Sequence, residues 1–216
     1  MTRRLAALSI LTLLIGVSAP SLATWSIVMT DSATGEIAIG SATCVTGIDL
    51  KQLASVVVVE KGAGAAQSFV DGSGQNRLLI FEQLMAGTDP VEILDLLEQQ
   101  DGSHQTRQYG IADTQGRAVG FTGSVAGAYA DHLTGQQGTL TYAIQGNLLA
   151  GAAVLTEAES AVLGQGRDLP EKLMAGMLAA REQGGDGRCS CSPVDPDGCG
   201  TPPPGFTKSA DVGYIV

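Results

Sequence analysis

Thr24 has the strongest potential for catalysis in this sequence, because of the segment that precedes it. Two arginines near the start are followed by an apolar stretch, residues 5–17, and by the small-residue site Ser21-Leu22-Ala23. A basic start, a short apolar core and a small-residue cleavage site are the three parts of a secretory signal peptide. The sequence therefore predicts that residues 1–23 are removed and that the mature chain begins at Thr24.

An N-terminal threonine can act as nucleophile and base at once. Its α-amine has a pKa of about 8, so part of it is uncharged near neutral pH. The amine of Thr24 is then able to take the proton of the side-chain hydroxyl, which activates that hydroxyl for attack on an amide carbonyl. The alternative interpretation is that Thr24 is only a small polar residue that suits a cleavage site.

The run Gln145-Gly146-Asn147 offers donors for the negative oxygen that develops when an amide is attacked. Asn147 and the backbone at Gly146 are the predicted donors, since preorganised N–H groups stabilise such oxyanions. Gln145 stands beside them as a candidate for substrate binding. The alternative is a strand-to-helix turn, in which Gly146 relaxes the backbone and Asn147 caps the following helix.

Three further polar residues are candidates for substrate binding. Asp186 and Arg188 follow a pair of glycines, and they would orient the amine or hold a substrate carboxylate by a bidentate contact. The alternative for them is a surface ion pair. Gln67 ends a run of small residues, where a strand would face a cleft. If the site is real, we expect Thr24 to open into a cleft close to Gln67 and to the turn 184–188.

The four cysteines are predicted to form disulfides. Export places them in an oxidising compartment and their number is even. Three of them lie in one short segment, so at least one bridge should close that loop. The alternative is a zinc site, but His104 and His132 are the only histidines and neither lies near a cysteine in the sequence. No metal, no cofactor and no role for either histidine is predicted. The cysteines are Cys44, Cys189, Cys191 and Cys199.

Composition and charge narrow the classes of partner. The chain has 216 residues and a net charge of −10, whereas binding to nucleic acid or to an anionic membrane needs a basic protein face. The apolar stretch at residues 5–17 is shorter than the roughly 20 residues of a membrane-spanning helix, and no run of that length follows it. We therefore expect no nucleic acid partner and no membrane span, and a small amide or peptide as the substrate.

Hydrophobic periodicity predicts an α+β fold. Alternating residues from Thr24 to Thr30 and from Glu36 to Ala42 form a hairpin around the turn at 31–35. Val56 to Val59 is a β-branched run, typical of a strand that is buried on both faces. The remaining predictions, in chain order, are a helix capped by Asn76 and reaching Met85, a helix from Pro90 to Gln99, strands at 108–112, 118–122 and 139–145, a helix capped by Asn147 and reaching Leu163, a helix from Leu169 to Gln183, and a strand at 209–216.

Six motifs resemble the domain of unknown function 1028 (DUF1028) family, which is placed in the N-terminal-nucleophile (Ntn) hydrolase superfamily. They are Thr24-Trp25-Ser26-Ile27-Val28, Thr34-Gly35-Glu36, Gly62-Ala63-Gly64-Ala65 with Gln67, Phe121-Thr122-Gly123, the segment Gln145 to Gly151, and the turn Gly184 to Arg188. The resemblance implies a four-layer α-β-β-α sandwich with two antiparallel sheets. Through the superfamily, it implies hydrolysis of an amide bond by an N-terminal threonine.

The mature chain, residues 24–216, is predicted to be a single Ntn-hydrolase-like domain that is secreted or periplasmic. It departs from the family pattern in a Cys/Pro-rich insertion at about 188–208, interpreted as a disulfide-stapled loop. Two functions follow as hypotheses. The first is an exported amidohydrolase with Thr24 as nucleophile. The alternative is a non-catalytic binding or surface-assembly module that keeps the fold.

Overall fold

The computed structural model describes residues 24–164, 166, 168–192, 194–196 and 199–216. The predicted signal peptide, residues 1–23, lies outside that part of the chain. Within it, the polypeptide forms two antiparallel β-sheets and six α-helices. No helix there combines the length and the apolar character that are needed to cross a membrane.

Sheet I has five strands in the spatial order β7-β8-β1-β2-β9. Its strands are β1 (Thr24–Asp31), β2 (Ile37–Thr43), β7 (Asp131–Gln137), β8 (Leu140–Asn147) and β9 (Val212–Ile215). The predicted hairpin at the start of the mature chain is confirmed as β1 and β2, with Ser26 opposite Ser41 in the register. Strand β1 is central because β8 pairs with its other edge.

Sheet II has four strands in the order β3-β4-β5-β6. They are β3 (Ser55–Val58), β4 (Gly62–Ser68), β5 (Arg107–Asp113) and β6 (Ala118–Thr122). The six helices are α1 (Leu50–Ala54), α2 (Gln75–Ala86), α3 (Pro90–Gln100), α4 (Ala153–Val162), α5 (Leu169–Glu182) and α6 (Gly187–Ser190).

The helices cover the outer faces of the two sheets. Helices α2 and α3 pack on sheet II, whereas α4 and α5 pack on sheet I, and strands β1 and β8 of sheet I face β4 and β5 of sheet II. The order of layers is therefore helices, sheet, sheet, helices. This is the α+β, four-layer α-β-β-α sandwich that was predicted.

Alternation along β1 divides its side chains between two layers. Ile27 and Met29 join the apolar cluster with α4 and α5. Val28, on the opposite face, belongs to the cluster between the sheets, where four of the six buried members are alanines. The layer between the sheets is thus filled by small side chains. At the end of β1 that begins with Thr24, the same layer becomes polar.

Three predictions about elements are wrong. The strand at Val56 to Val59 was predicted to be buried on both faces, but Val57 is only half-buried and Val59 is 79% exposed. The strand β3 lies at the edge of sheet II. A run of β-branched residues does not show whether one face of a strand is buried or both. Asn76 does not cap α2: the helix begins at Gln75, and the Asn76 side chain is buried and donates to Asp101 and Tyr109. Asn147 does not cap a helix either. It ends β8, and α4 begins six residues later.

Candidate functional site

Thr24 is the first residue of the central strand of sheet I. It pairs with Asn147 of β8 on one side and with Thr43 of β2 on the other. None of its surface is exposed in the 216-residue chain, and its nitrogen belongs to the peptide bond with Ala23. The open cleft was predicted for a chain that begins at Thr24 and stays a prediction for that form. In the 216-residue chain, two flanking strands and the side chain of Gln67 pack around the residue.

Gln67 reaches Thr24 from the opposite sheet. It lies on β4 and is buried, and its side-chain nitrogen donates to the carbonyl oxygen of Thr24 and to Oε1 of Gln108, each at 2.8 Å. Its side-chain oxygen accepts from the hydroxyl of Ser26 at 2.5 Å. Gln67 thus holds the first residue of β1 in place across the layer between the sheets.

Gln108 is the neighbour of Gln67 in the β4–β5 register, and sequence reasoning missed it. It is fully buried, and its side-chain nitrogen lies 2.8 Å from the carbonyl oxygen of Gly146 and 3.0 Å from that of Asp131. It therefore connects β5 to the ends of β7 and β8. The sequence alone gives little indication of this role. A glutamine on a predicted strand can be assigned to a site only when its neighbour on the adjacent strand is known.

Gln145 is the third buried glutamine of this layer. Its side chain lies over Gly110 of β5, where an added Cβ would be 2.0 Å from Oε1 of Gln145. Neither the oxygen nor the nitrogen of its amide makes a hydrogen bond within the described residues. A polar group in this state costs free energy, so Gln145 offers both a donor and an acceptor to a water molecule or a ligand that reached it.

Asn147 and Gly146 end β8 beside Thr24 and Trp25. The side-chain nitrogen of Asn147 donates to the carbonyl oxygen of Ala126 at 3.2 Å and lies 3.4 Å from the hydroxyl of Ser68. Ala126 belongs to the connection between β6 and β7, which thereby covers this end of the layer. The amide of Asn147 is consequently an oriented donor at the Thr24 end of the sheet.

Asp186 and Arg188 form a buried ion pair next to the end of β2. Asp186 is 0% exposed, and its carboxylate accepts from the backbone nitrogen of Cys44 at 2.7 Å. Nε and Nη2 of Arg188 donate to the same carboxylate at 3.1 and 2.8 Å. The interpretation as a surface ion pair is wrong for Asp186. The guanidinium binds Asp186 with two of its nitrogens, which limits what it can offer to a substrate carboxylate.

All four cysteines form disulfides, as predicted, and one bridge closes the cysteine-rich segment. Cys191–Cys199 closes the loop in the cysteine-rich segment, and Cys44–Cys189 joins α6 to the residue after β2. Cys44, Cys189 and Asp211 are close enough to resemble a metal site. Because the two sulfur atoms are bonded to each other, the cluster offers a metal only the carboxylate.

The two histidines differ in their distance from the Thr24 site. His104 stacks on Phe121 with 4.0 Å between ring centroids, on the side of α3, and burial lowers its pKa. His132 lies on β7, where Nδ1 is 3.0 Å from the hydroxyl of Thr122. Burial lowers the pKa of His132 as well. Thr122 also accepts from Gln108, so His132 belongs to the outer part of the polar layer.

The residues predicted for the site therefore meet at one end of the molecule. Thr24 contacts Gln67 directly and is flanked by Asn147, while Asp186 is connected to it through the end of β2. Amide side chains at this end supply oriented, neutral donors.

Comparison with known proteins agrees with this architecture. The chain matches the sequence profile of a family of unknown function, DUF1028, over residues 24–194. It is similar to the crystal structure of protein SPO2555 from Silicibacter pomeroyi, assigned to the same family, with a TM-score of 0.63 and 23% identity over 75% of this chain and 71% of that chain. At that identity the likeness concerns the fold alone. No curated protein matches the chain. Since the family match spans most of the sequence, this chain belongs to the DUF1028 family.

Proposed function

We propose that the protein is an exported amidohydrolase whose nucleophile is Thr24 after residues 1–23 have been removed. The observation that carries the proposal is the position of Thr24. It begins a central strand at the end of the molecule where Gln67, Asn147 and Asp186 converge. The order of basic, apolar and small residues before Thr24 supports export and cleavage at that point.

The chemistry follows from the amine and the hydroxyl of one residue. The amine of Thr24 accepts the hydroxyl proton while the hydroxyl oxygen bonds to the carbonyl carbon of the amide. The carbonyl electrons move to oxygen, and the proposed donors to this oxyanion are N–H groups at Gly146 and Asn147. The side chain of Asn147 would exchange its present contacts with Ala126 and Ser68 for the oxyanion. Collapse breaks the C–N bond, and the departing nitrogen takes the proton from the Thr24 ammonium. Water, deprotonated by the same amine, then hydrolyses the ester and releases a carboxylic acid.

A second candidate is a non-catalytic binding or surface-assembly module. Its support is the complete burial of Thr24 in the full chain and the engagement of Arg188 by Asp186. These features would give a stable scaffold without an accessible nucleophile. The two candidates differ in what removal of residues 1–23 does: it creates the base in the first and has no chemical consequence in the second.

The test combines N-terminal sequencing with a substrate screen. The exported protein is expected to begin at Thr24, and this form should release a carboxylic acid from at least one member of a panel of acylated amino acids and short peptides, detected by mass spectrometry. A mature chain that keeps one residue before Thr24 would contradict the mechanism, because its nitrogen would remain an amide. A chain that begins at Thr24 and cleaves nothing would favour the binding module.

A further inference from the structure

A cavity of about 420 Å³ lies between α5 and the segment that leads into β9. Its volume is within the range of small-molecule sites. The buried part of the lining is mainly apolar, with Trp25, Ala42 and Met177, and Ser209 is its buried polar residue. The exposed part carries two positive charges, on Arg181 and Lys208, and one negative charge, on Asp211. The cavity thus has a mainly apolar floor and a rim with a net positive charge.

Arg181 has no acceptor for its guanidinium within the described part of the chain. Lys208, by contrast, is paired with Asp211 at 2.8 Å, and Asp211 also lines the cavity. The pair is neutral, so Arg181 leaves the lining with one positive charge in a chain whose net charge is −10. The other arginines whose side chains are described all make hydrogen bonds: Arg77, Arg107, Arg117 and Arg188.

The floor of the cavity is mainly apolar. Trp25 is 2% exposed and lines the cavity. Its indole N–H is itself buried and has no acceptor in the described residues, so it is not counted among the groups that a ligand would meet. A ligand that matches this lining needs an apolar part that covers the floor and a negatively charged group for Arg181.

We propose that this cavity binds a small amphipathic carboxylate. Its hydrocarbon part would lie on Trp25, Ala42 and Met177, and its carboxylate would pair with Arg181. The proposal is independent of the function proposed for Thr24, because Trp25 belongs to the layer between sheet I and α5 whereas Gln67 reaches Thr24 from the layer between the sheets.

The experiment uses Trp25 as the reporter, since it is the only tryptophan in the chain. The purified protein is titrated with decanoate below its micellar concentration while tryptophan emission is recorded, and calorimetry under the same conditions gives an independent dissociation constant. A matched titration uses decyltrimethylammonium, which has the same chain and the opposite charge. We expect saturable binding of decanoate and at least tenfold weaker binding of the cation.

Three variants test the role of the arginine. Arg181→Gln is expected to weaken decanoate binding about threefold, as for the loss of a solvent-exposed ion pair. Lys61→Gln removes one positive charge from an exposed turn that belongs to neither α5 nor the C-terminal segment, and it should bind as the wild type does. Thr24→Ala should also bind as the wild type does, which separates this site from catalysis. Circular dichroism checks that Arg181→Gln is folded.

Three results would overturn the proposal. The first is a titration with decanoate that gives neither an emission change nor heat. The second is equal affinity for decanoate and decyltrimethylammonium, which would show that only the hydrocarbon is bound. The third is a folded Arg181→Gln variant with unchanged affinity, which would place the carboxylate elsewhere.

Discussion

At the scale of single residues, the backbone of Thr24 is held from two directions. Strands β2 and β8 pair with it, and Gln67 binds its carbonyl oxygen. These contacts do not use the threonine side chain. The residue can therefore lose its hydroxyl without losing the interactions that fix its main chain, which makes the mechanism testable by substitution.

We predict that Thr24→Ala abolishes amide hydrolysis by the mature protein and lowers the free energy of unfolding by only about 1 kcal/mol. Thr24→Ser should keep part of the activity, because both the hydroxyl and the amine remain. The measurements are release of the carboxylic acid by mass spectrometry and a thermal melt of each variant. Full activity in a correctly processed Thr24→Ala protein would exclude Thr24 as the nucleophile.

Gln67 should behave differently, because its role is in the fold as well as in the site. Gln67→Leu removes one hydrogen bond from each of three buried partners: the Thr24 carbonyl, the Ser26 hydroxyl and the side-chain oxygen of Gln108. We predict a loss of about 3 kcal/mol in unfolding free energy, measured by urea denaturation. Gln52→Leu, an exposed position on α1, is the control and should change stability by less than about 0.5 kcal/mol. Equal effects at the two positions would contradict the observed network.

The sequence allowed part of this residue-scale arrangement to be predicted. Gln67, Asn147 and Asp186 were found through the motifs that resemble the family, and they do lie at the Thr24 end of the fold. Gln108 was missed because its importance arises from the β4–β5 register, which no local pattern shows.

At the scale of elements, helices with explicit start signals were predicted best. Helix α3 begins at Pro90 after Asp89, whose side chain accepts from the backbone of Val91 at 2.9 Å. Helix α5 has the same type of cap at Asp168. In contrast, Asn147 has the residue type of a helix cap but is the last residue of β8. Its backbone pairs with Thr24 of β1, so it does not begin a helix. Strand β7 was not predicted, because its exposed, largely polar residues show no buried face.

A half-buried carboxylate, that of Asp101, connects three elements. Asp101, which follows α3, accepts from Asn76 of α2 at 2.7 Å and from Arg107 of β5 at 2.7 Å. Burial alone would raise the pKa of Asp101, but the hydrogen bonds from Arg107 and Asn76 outweigh it and lower the pKa to about 2. The folded state therefore favours the ionised form.

The consequence is a loss of stability in acid. Because the pKa of Asp101 is lower when folded than when unfolded, its stabilisation is fully present above about pH 4 and is lost as the pH falls towards 2. The difference in pKa corresponds to about 2 kcal/mol. We predict that Asp101→Asn loses about that much unfolding free energy at pH 7 and has a weaker acid dependence, in denaturant melts from pH 7 to pH 2.5. The exposed Asp95→Asn should follow the wild type, and an unchanged acid profile in Asp101→Asn would refute the assignment.

At the scale of the whole molecule, the two disulfides differ in how much of the chain they constrain. The bridge Cys44–Cys189 spans 145 residues of sequence. It fixes α6, which contains Arg188 and is capped by Asp186, against the end of β2. Cys191–Cys199 spans only 8 residues. The presence of disulfides was predicted from the even number of cysteines and from the predicted export of the chain. Their pairing did not, because three cysteines lie together and the partner of Cys44 depends on the tertiary fold.

The last prediction concerns this difference in span. In the chain-entropy account of disulfides, the longer loop stabilises the fold by about 5 kcal/mol and the shorter one by about 2.5 kcal/mol. We therefore expect the double variant Cys44→Ser/Cys189→Ser to lose about twice as much unfolding free energy as Cys191→Ser/Cys199→Ser. Denaturant melts of the oxidised proteins measure this. The control is alkylation of the unfolded, unreduced wild type, which should label none of the four cysteines. Two or four labels would show that one or both bridges are missing, and equal losses in the two variants would show that the long bridge does not constrain the unfolded chain as its span requires.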